Sequence, residues 1–172
     1  MKAIAILETK LVVIYNSAKG ITYDKETLEP QTERVFEPPF QLTSATIEHC
    51  KISKDGKFVA ICYEECNDIF IYNQFSADYI GCLSGHKMKI NEIAFSPKND
   101  GILVSCSDDC TFIAWSLVLL EKVYQSPKQY GSLESFCFSS LGNEIITCGW
   151  GSEVHFWKYQ PPRVNTKNAR KR

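Results

Sequence analysis

The strongest constraint on this chain is that it repeats itself. Ile90, Ile93 and Phe95 are followed by Ser96, and an aromatic residue, Trp115, comes 25 positions after Ile90. One repeat earlier, Ile47, Cys50, Ile52 and Ser53 lead to Tyr72, again 25 positions on. One repeat later, Leu133, Phe136, Phe138 and Ser139 lead to Trp157, 24 positions on. The closing aromatics Tyr23, Tyr72, Trp115 and Trp157 are spaced 49, 43 and 42 apart, which extends the series to a more degenerate unit at the start. A repeat of this length is one supersecondary unit. It cannot bury its apolar face alone and stacks on its neighbours instead.

The repeat from Gly85 to Trp115 is the clearest, GHKMKINEIAFSPKNDGILVSCSDDCTFIAW. Apolar residues alternate from Ile90 to Phe95, and Ser96-Pro97-Lys98-Asn99-Asp100-Gly101 supplies a turn. A second run covers Ile102–Cys106, Ser107-Asp108-Asp109 makes a polar corner, and Thr111–Trp115 is a third run. Short β runs separated by turn residues predict an antiparallel meander. The order Gly-His, Phe-Ser-Pro, Ser-x-x-x-Asp, Trp resembles the WD-repeat family, which builds β-propellers from four-stranded blades of about 40–45 residues. That resemblance implies a structural hydrogen-bonded tetrad of His86, Ser105, Asp109 and Trp115. In it Asp109 accepts from His86, His86 contacts Ser105, and Ser105 meets the Trp115 indole. A Ser, a His and an Asp in one neighbourhood also suit a catalytic triad. The structural role already accounts for their spacing, and no nucleophile-elbow glycines flank Ser105.

The other units keep this plan unevenly. In the first, Leu11–Tyr15, Ala18–Asp24 and Thr32–Phe36 read as strands, ended by Pro38-Pro39. Only Ala3–Leu7 is left for the inner strand, which is either shortened or belongs to a neighbouring blade. The second lacks the Gly-His, the corner Asp and the Trp, and its outer strand is expected at Ala77–Leu83. The third has its outer strand expected at Val118–Tyr124. In the fourth, Thr147 takes the place of Ser105 and Gly151 that of Asp109, while Pro161-Pro162 interrupts where an outer strand would run.

Composition narrows the function classes. The chain has 172 residues, 44% hydrophobic and 23% charged, and no apolar run approaches the length of a membrane span. The segment MKAIAILETK does not read as a signal peptide. Eight cysteines without a secretory signal point to a reducing, intracellular setting, in cytoplasm or nucleus. Cys62-x3-Cys66 and Cys106-x3-Cys110 lie at hairpin ends a repeat apart and lack tight ligand spacing, so thiol packing is expected rather than zinc. The end of the chain, PPRVNTKNARKR, holds five basic residues, Arg163, Lys167, Arg170, Lys171 and Arg172, and no acid. It reads as a solvated, disordered tail or as an electrostatic arm for nucleic acid.

Few positions suggest a site. No phosphate-cradling glycine loop, HExxH or spaced carboxylate pair is present. His49 and His155 fall within strands. Trp150, between Gly149 and Gly151, either packs on the next blade or anchors a partner. Glu64, Glu65 and Asp108 occupy corresponding hairpins and would make one propeller face acidic, a second candidate partner surface.

The expected fold is all-β, WD-repeat and propeller-like, with about four blades that do not close a propeller unaided. Residues 1–40 form a partial blade, 41–83 a blade, and 84–127 the blade nearest the family pattern. Residues 128–160 form a blade lacking an outer strand, and 161–172 the tail. Three completions are open: pairing of Ala3–Leu7 with the fourth blade, a second chain supplying blades, or a longer reading frame. The expected function is a non-catalytic protein–protein interaction scaffold within a larger assembly, without cofactor, metal, membrane or small-molecule substrate. The alternative is an accessory subunit of an RNA-processing or RNA-modifying complex that uses the basic tail.

Overall fold

A computed structural model describes residues 2–6, 10–39, 46–98, 101–151 and 153–158. Among them the regular structure is entirely β: fifteen strands in four antiparallel sheets. No helix among them is long and apolar enough to cross a membrane. The chain divides into two compact units, Met1–Cys82 and Leu83–Arg172.

In the first unit, β1 (Ala3–Ile6), β2 (Lys10–Ile14), β3 (Lys19–Asp24) and β4 (Pro30–Val35) form the first sheet in chain order. The second sheet follows the same order with β5 (Ile47–Ile52), β6 (Phe58–Tyr63), β7 (Ile69–Asn73) and β8 (Tyr79–Leu83). The N-terminal strand is a shortened inner strand of its own blade. It pairs with β2 from Ala3 opposite Ile14 to Ile6 opposite Leu11, rather than adding to the fourth sheet. The face of the first sheet that carries Ala3 and Ile14 packs, together with Ala18 and Phe36, against Ile61, Phe70 and Tyr72 of the second. Each fully buried large apolar side chain contributes about 1.5–3 kcal/mol. Phe36 lies so close over Gly20 that a Cβ there would stand 2.7 Å from its ring. Tyr63 and Tyr72 donate their hydroxyls to the carbonyls of Phe36 and Glu37, at 3.2 and 3.0 Å.

In the second unit, β9 (Ile90–Phe95), β10 (Ile102–Ser107), β11 (Phe112–Ser116) and β12 (Glu121–Gln125) form the third sheet. The fourth has β13 (Leu133–Phe138), β14 (Glu144–Gly149) and β15 (Val154–Lys158). Val104, Cys106, Phe112 and Ala114 of the third sheet pack against Leu133, Phe136 and Ile145 of the fourth, with Phe138 and Trp157 at the margin. The Phe112 and Trp157 rings meet edge to face, centroids 5.4 Å apart.

In the second and third sheets the outer strand begins later than the sequence suggests, since Ala77 precedes β8 and Val118 lies in a turn, while in the first it begins earlier, at Pro30. In three sheets the chain enters the outer hairpin through Asp24, Asn73 or Ser116. Their side-chain oxygens accept backbone N–H groups two or three residues on. Four residues beyond each, Leu28, Ala77 and Leu120 adopt left-handed φ values of 57°, 61° and 54°. Such turns usually place glycine there, so the sequence hides them.

Candidate functional site

The third sheet holds a buried polar chain that starts at the indole of Trp115. Its Nε1 donates to Ser105 Oγ at 2.8 Å, and Ser105 Oγ lies 2.8 Å from His86 Nε2. His86 Nδ1 is 2.9 Å from Asp109 Oδ2. The Trp115 indole N–H only donates, so Ser105 Oγ accepts from it and donates its own O–H hydrogen bond to His86 Nε2. Nδ1–H then faces the carboxylate, and the imidazole is neutral. Asp109 accepts three further bonds, from the Lys87 N–H (3.0 Å), the Thr111 N–H (3.0 Å) and the Thr111 hydroxyl (2.6 Å).

Local structure sets this geometry. Ser105 and Trp115 sit on neighbouring strands facing the same side, since Ser105 pairs with Ile113 and Leu103 with Trp115. Gly85 lets the Gly-His turn reach the indole, where a Cβ would come within 3.1 Å of Trp115 Cη2. Cys110, at φ 70°, turns the chain so that Asp109 points back to His86. Burial pushes the His86 imidazole below its ordinary value, against the opposing pull of Asp109. Burial also pushes the Asp109 carboxyl up, but the Thr111 hydroxyl, the Lys87 N–H and His86 together outweigh it and hold the group low. A neutral imidazole beside an ionised carboxylate fits both shifts. Ser105 is fully buried, with its hydrogen and one lone pair engaged. The arrangement leaves no open side from which an acyl group could meet the hydroxyl.

The fourth sheet holds a counterpart that the sequence reading missed in part. Trp157 Nε1 donates to Thr147 Oγ1 at 3.0 Å, and Thr147 Oγ1 donates to Gln129 Oε1 at 2.8 Å. Gln129 stands 18 residues before Thr147, as His86 stands 19 before Ser105, and that spacing was the available signal. No acid completes this chain, and Gln129 Nε2 is buried without a hydrogen-bond partner. A Cβ at Gly151 would collide with the Tyr130 carbonyl, and one at Gly149 with the Ser132 carbonyl. The backbone of residues 130–132 therefore covers the corner that Asp109 fills in the third sheet.

The other candidates fall in different settings. Trp150 projects outward, 80% exposed, its indole N–H bonded to Glu134, and Tyr130 is 88% exposed. Asp108 is half-buried and accepts from Asn91 at 2.6 Å and from the Ser132 hydroxyl, so its carboxylate ties the residue just before β13 to the third sheet. Glu64 and Glu65 are exposed in the turn after β6. His49 lies in β5, and His155 in β15 sits 3.2 Å from Glu153. All eight cysteines are free thiols. Burial pushes the Cys50 thiol up to about 12 and raises Cys62 and Cys106 as well, which makes all three poor thiolate ligands. Among the described residues no group of three His, Cys, Asp or Glu is placed to hold a metal ion. Arg163, Lys167, Arg170, Lys171 and Arg172 lie outside the described residues.

Comparison with known proteins agrees with this geometry. The family described as WD domain, G-beta repeat matches residues 77–116. Cilia- and flagella-associated protein 52 of Mus musculus is 30% identical over 120 residues, 64% of this chain and 19% of that protein. The protein of the same name from Sus scrofa is 31% identical over 100 residues, 55% of this chain and 16% of that one. The WD repeat-containing protein WDS homolog of Arabidopsis thaliana is 35% identical over 69 residues, 40% of this chain and 13% of its own length. The chain thus spans less than a fifth of each of these relatives. The buried corner and the family match converge on residues 77–116, which match a WD repeat, and the four blade-like sheets give the chain an all-β, propeller-like construction.

Proposed function

We propose that the chain is a non-catalytic protein–protein interaction scaffold within a larger assembly. WD-repeat proteins generally act as interaction scaffolds. The observation that carries the reading here is the aromatic corner of the fourth sheet. Trp150 and Tyr130 stand almost fully in solvent on a corner that Gly149 and Gly151 hold closed. Exposed Trp and Tyr side chains on a rigid support are the residues most often found to dominate binding energy. The polar residues that resemble a triad serve the fold, because Ser105, His86 and Asp109 are buried and mutually satisfied.

Affinity purification of the chain from cells, with cross-linking of what co-purifies, tests this. The scaffold reading expects defined partner proteins, and loss of at least one with Trp150→Ala while the unfolding midpoint is unchanged. RNA that co-purifies through residues 161–172 in a salt-sensitive way, with no protein partner, would favour the tail-based reading instead.

A further inference from the structure

Both units pack their sheets by one rule. The face of one sheet that carries the β2-type and β3-type positions of the hydrophobic core is covered by the opposite face of the next sheet. In the second unit, Val104, Cys106, Phe112 and Ala114 are 0–1% exposed because Phe136, Ile145, Phe138 and Trp157 cover them. Strand register locates the same positions on the other sheets. On the fourth sheet, Ile146, Cys148, Val154 and Phe156 stand where those four covered residues stand on the third. There Phe156 is 72% and Val154 57% exposed.

A covering face of the right kind exists on this chain. In the fourth sheet, Phe138 pairs with Ile145 and Ile145 with Trp157. In the first sheet, Ile6 pairs with Leu11 and Leu11 with Tyr23 in the same register, and Ile4 takes the place of Phe136. Ile4 is 51% and Ile6 69% exposed. A shallow trough of about 370 Å³ opens farther across the same sheet, over β3 and β4, lined in part by Ile21 and Tyr23. Exposed apolar faces of this sort mark association surfaces.

We propose that copies of this chain associate head to tail, the first-sheet face of one copy (Ile4, Ile6) covering the fourth-sheet face of the next (Val154, Phe156). The contact is heterologous: it joins two different faces, so it closes a ring or extends as a chain of copies. It does not involve the Trp150 corner and stands apart from the partner reading above.

Sedimentation velocity of the purified full chain over a range of concentrations tests this. The wild type is expected to gain mass with concentration. Ile6→Glu and Phe156→Glu should each remain monomeric, since either removes one half of every contact. Mixed one to one, the two variants retain one intact pair of faces and should form a two-chain species. Trp150→Ala should associate like the wild type, which separates failure of this proposal from failure of the scaffold reading. Should Phe156→Glu fold poorly, Val154→Lys probes the same face. A wild type monomeric at every concentration, or a mixture that stays monomeric, overturns the proposal. So does association lost with Phe156→Glu and kept with Ile6→Glu, because the face would then meet its own kind.

Discussion

In the third sheet Ser105 is held from two sides, by Trp115 and by His86, and the chain of bonds ends on a carboxylate that satisfies four donors. In the fourth sheet Thr147 is held in the same way by Trp157 and Gln129, but the chain ends there and leaves the Gln129 amide unmatched. Glycines and a backbone segment fill the corner instead. Two sheets of one pattern thus solve the same problem differently. The third satisfies its buried polar groups internally, which rigidifies a core. The fourth closes its corner by steric fit and turns its aromatic residues, Trp150 and Phe156, to solvent. The repeat with the complete motif carries stability, and the degenerate one carries the exposed surface.

The largest expected effect comes from the glycine solution. Gly149→Ala places a Cβ against the Ser132 carbonyl and Leu133 Cα, neither of which can yield cheaply. It should cost at least about 3 kcal/mol in chemical unfolding. The third sheet has Ser107 at the matching place, where a Cβ already stands, so Ser107→Ala loses only the hydroxyl's bonds to the Met88 carbonyl and the Asp109 N–H and should cost about 1–2 kcal/mol.

Removing the acid comes next. Asp109→Ala leaves the His86 ring, the Lys87 and Thr111 N–H groups and the Thr111 hydroxyl without their acceptor. A loss of about 1–3 kcal/mol is expected. The paired hydroxyl deletions sharpen the contrast further. Ser105→Ala orphans two buried groups and should cost about 1–2 kcal/mol. Thr147→Val leaves the Trp157 N–H and Gln129 Oε1 without their partner, but both side chains are only partly buried, so the cost should stay under about 1 kcal/mol. Equal costs for the two would break the comparison.

A smaller effect follows from His86. Its folded-state pKa lies below the ordinary 6.5, so the unfolded chain binds the extra proton first on acidification. Its contribution is complete above 6.5 and is lost as pH falls from there toward the lower folded value. His86→Gln imports the residue type that the fourth sheet uses. It should flatten that part of the decline in unfolding midpoint between pH 7 and 5, and an unchanged slope would remove His86 from the account.

The third corner is legible in sequence through its resemblance to the WD repeat, whose Gly-His, Ser-x-x-x-Asp and Trp stand at the family's spacing here. The all-β meander is legible because period-two apolar runs end at turn residues. Gln129 is not legible, because glutamine is common on surfaces and the acid that would flag its partner is absent. The outer-hairpin turns are hidden too. Leu28, Ala77 and Leu120 take left-handed conformations without glycine, since the side-chain bonds from Asp24, Asn73 and Ser116 over-determine the turn. Asp108 reads as a surface acid only until Asn91 and Ser132 are seen to surround it.

Native-state amide hydrogen exchange tests the central contrast most directly. It compares Phe112–Trp115 in β11 with the matching Val154–Trp157 in β15, at concentrations low enough to keep the chain monomeric. The account predicts that the β11 amides exchange only with global unfolding, while the β15 amides exchange through local opening at much lower free energy. It also predicts that Asp109→Ala brings β11 toward β15. Equal protection of the two strands, or no change at β11 when Asp109 is removed, would contradict it.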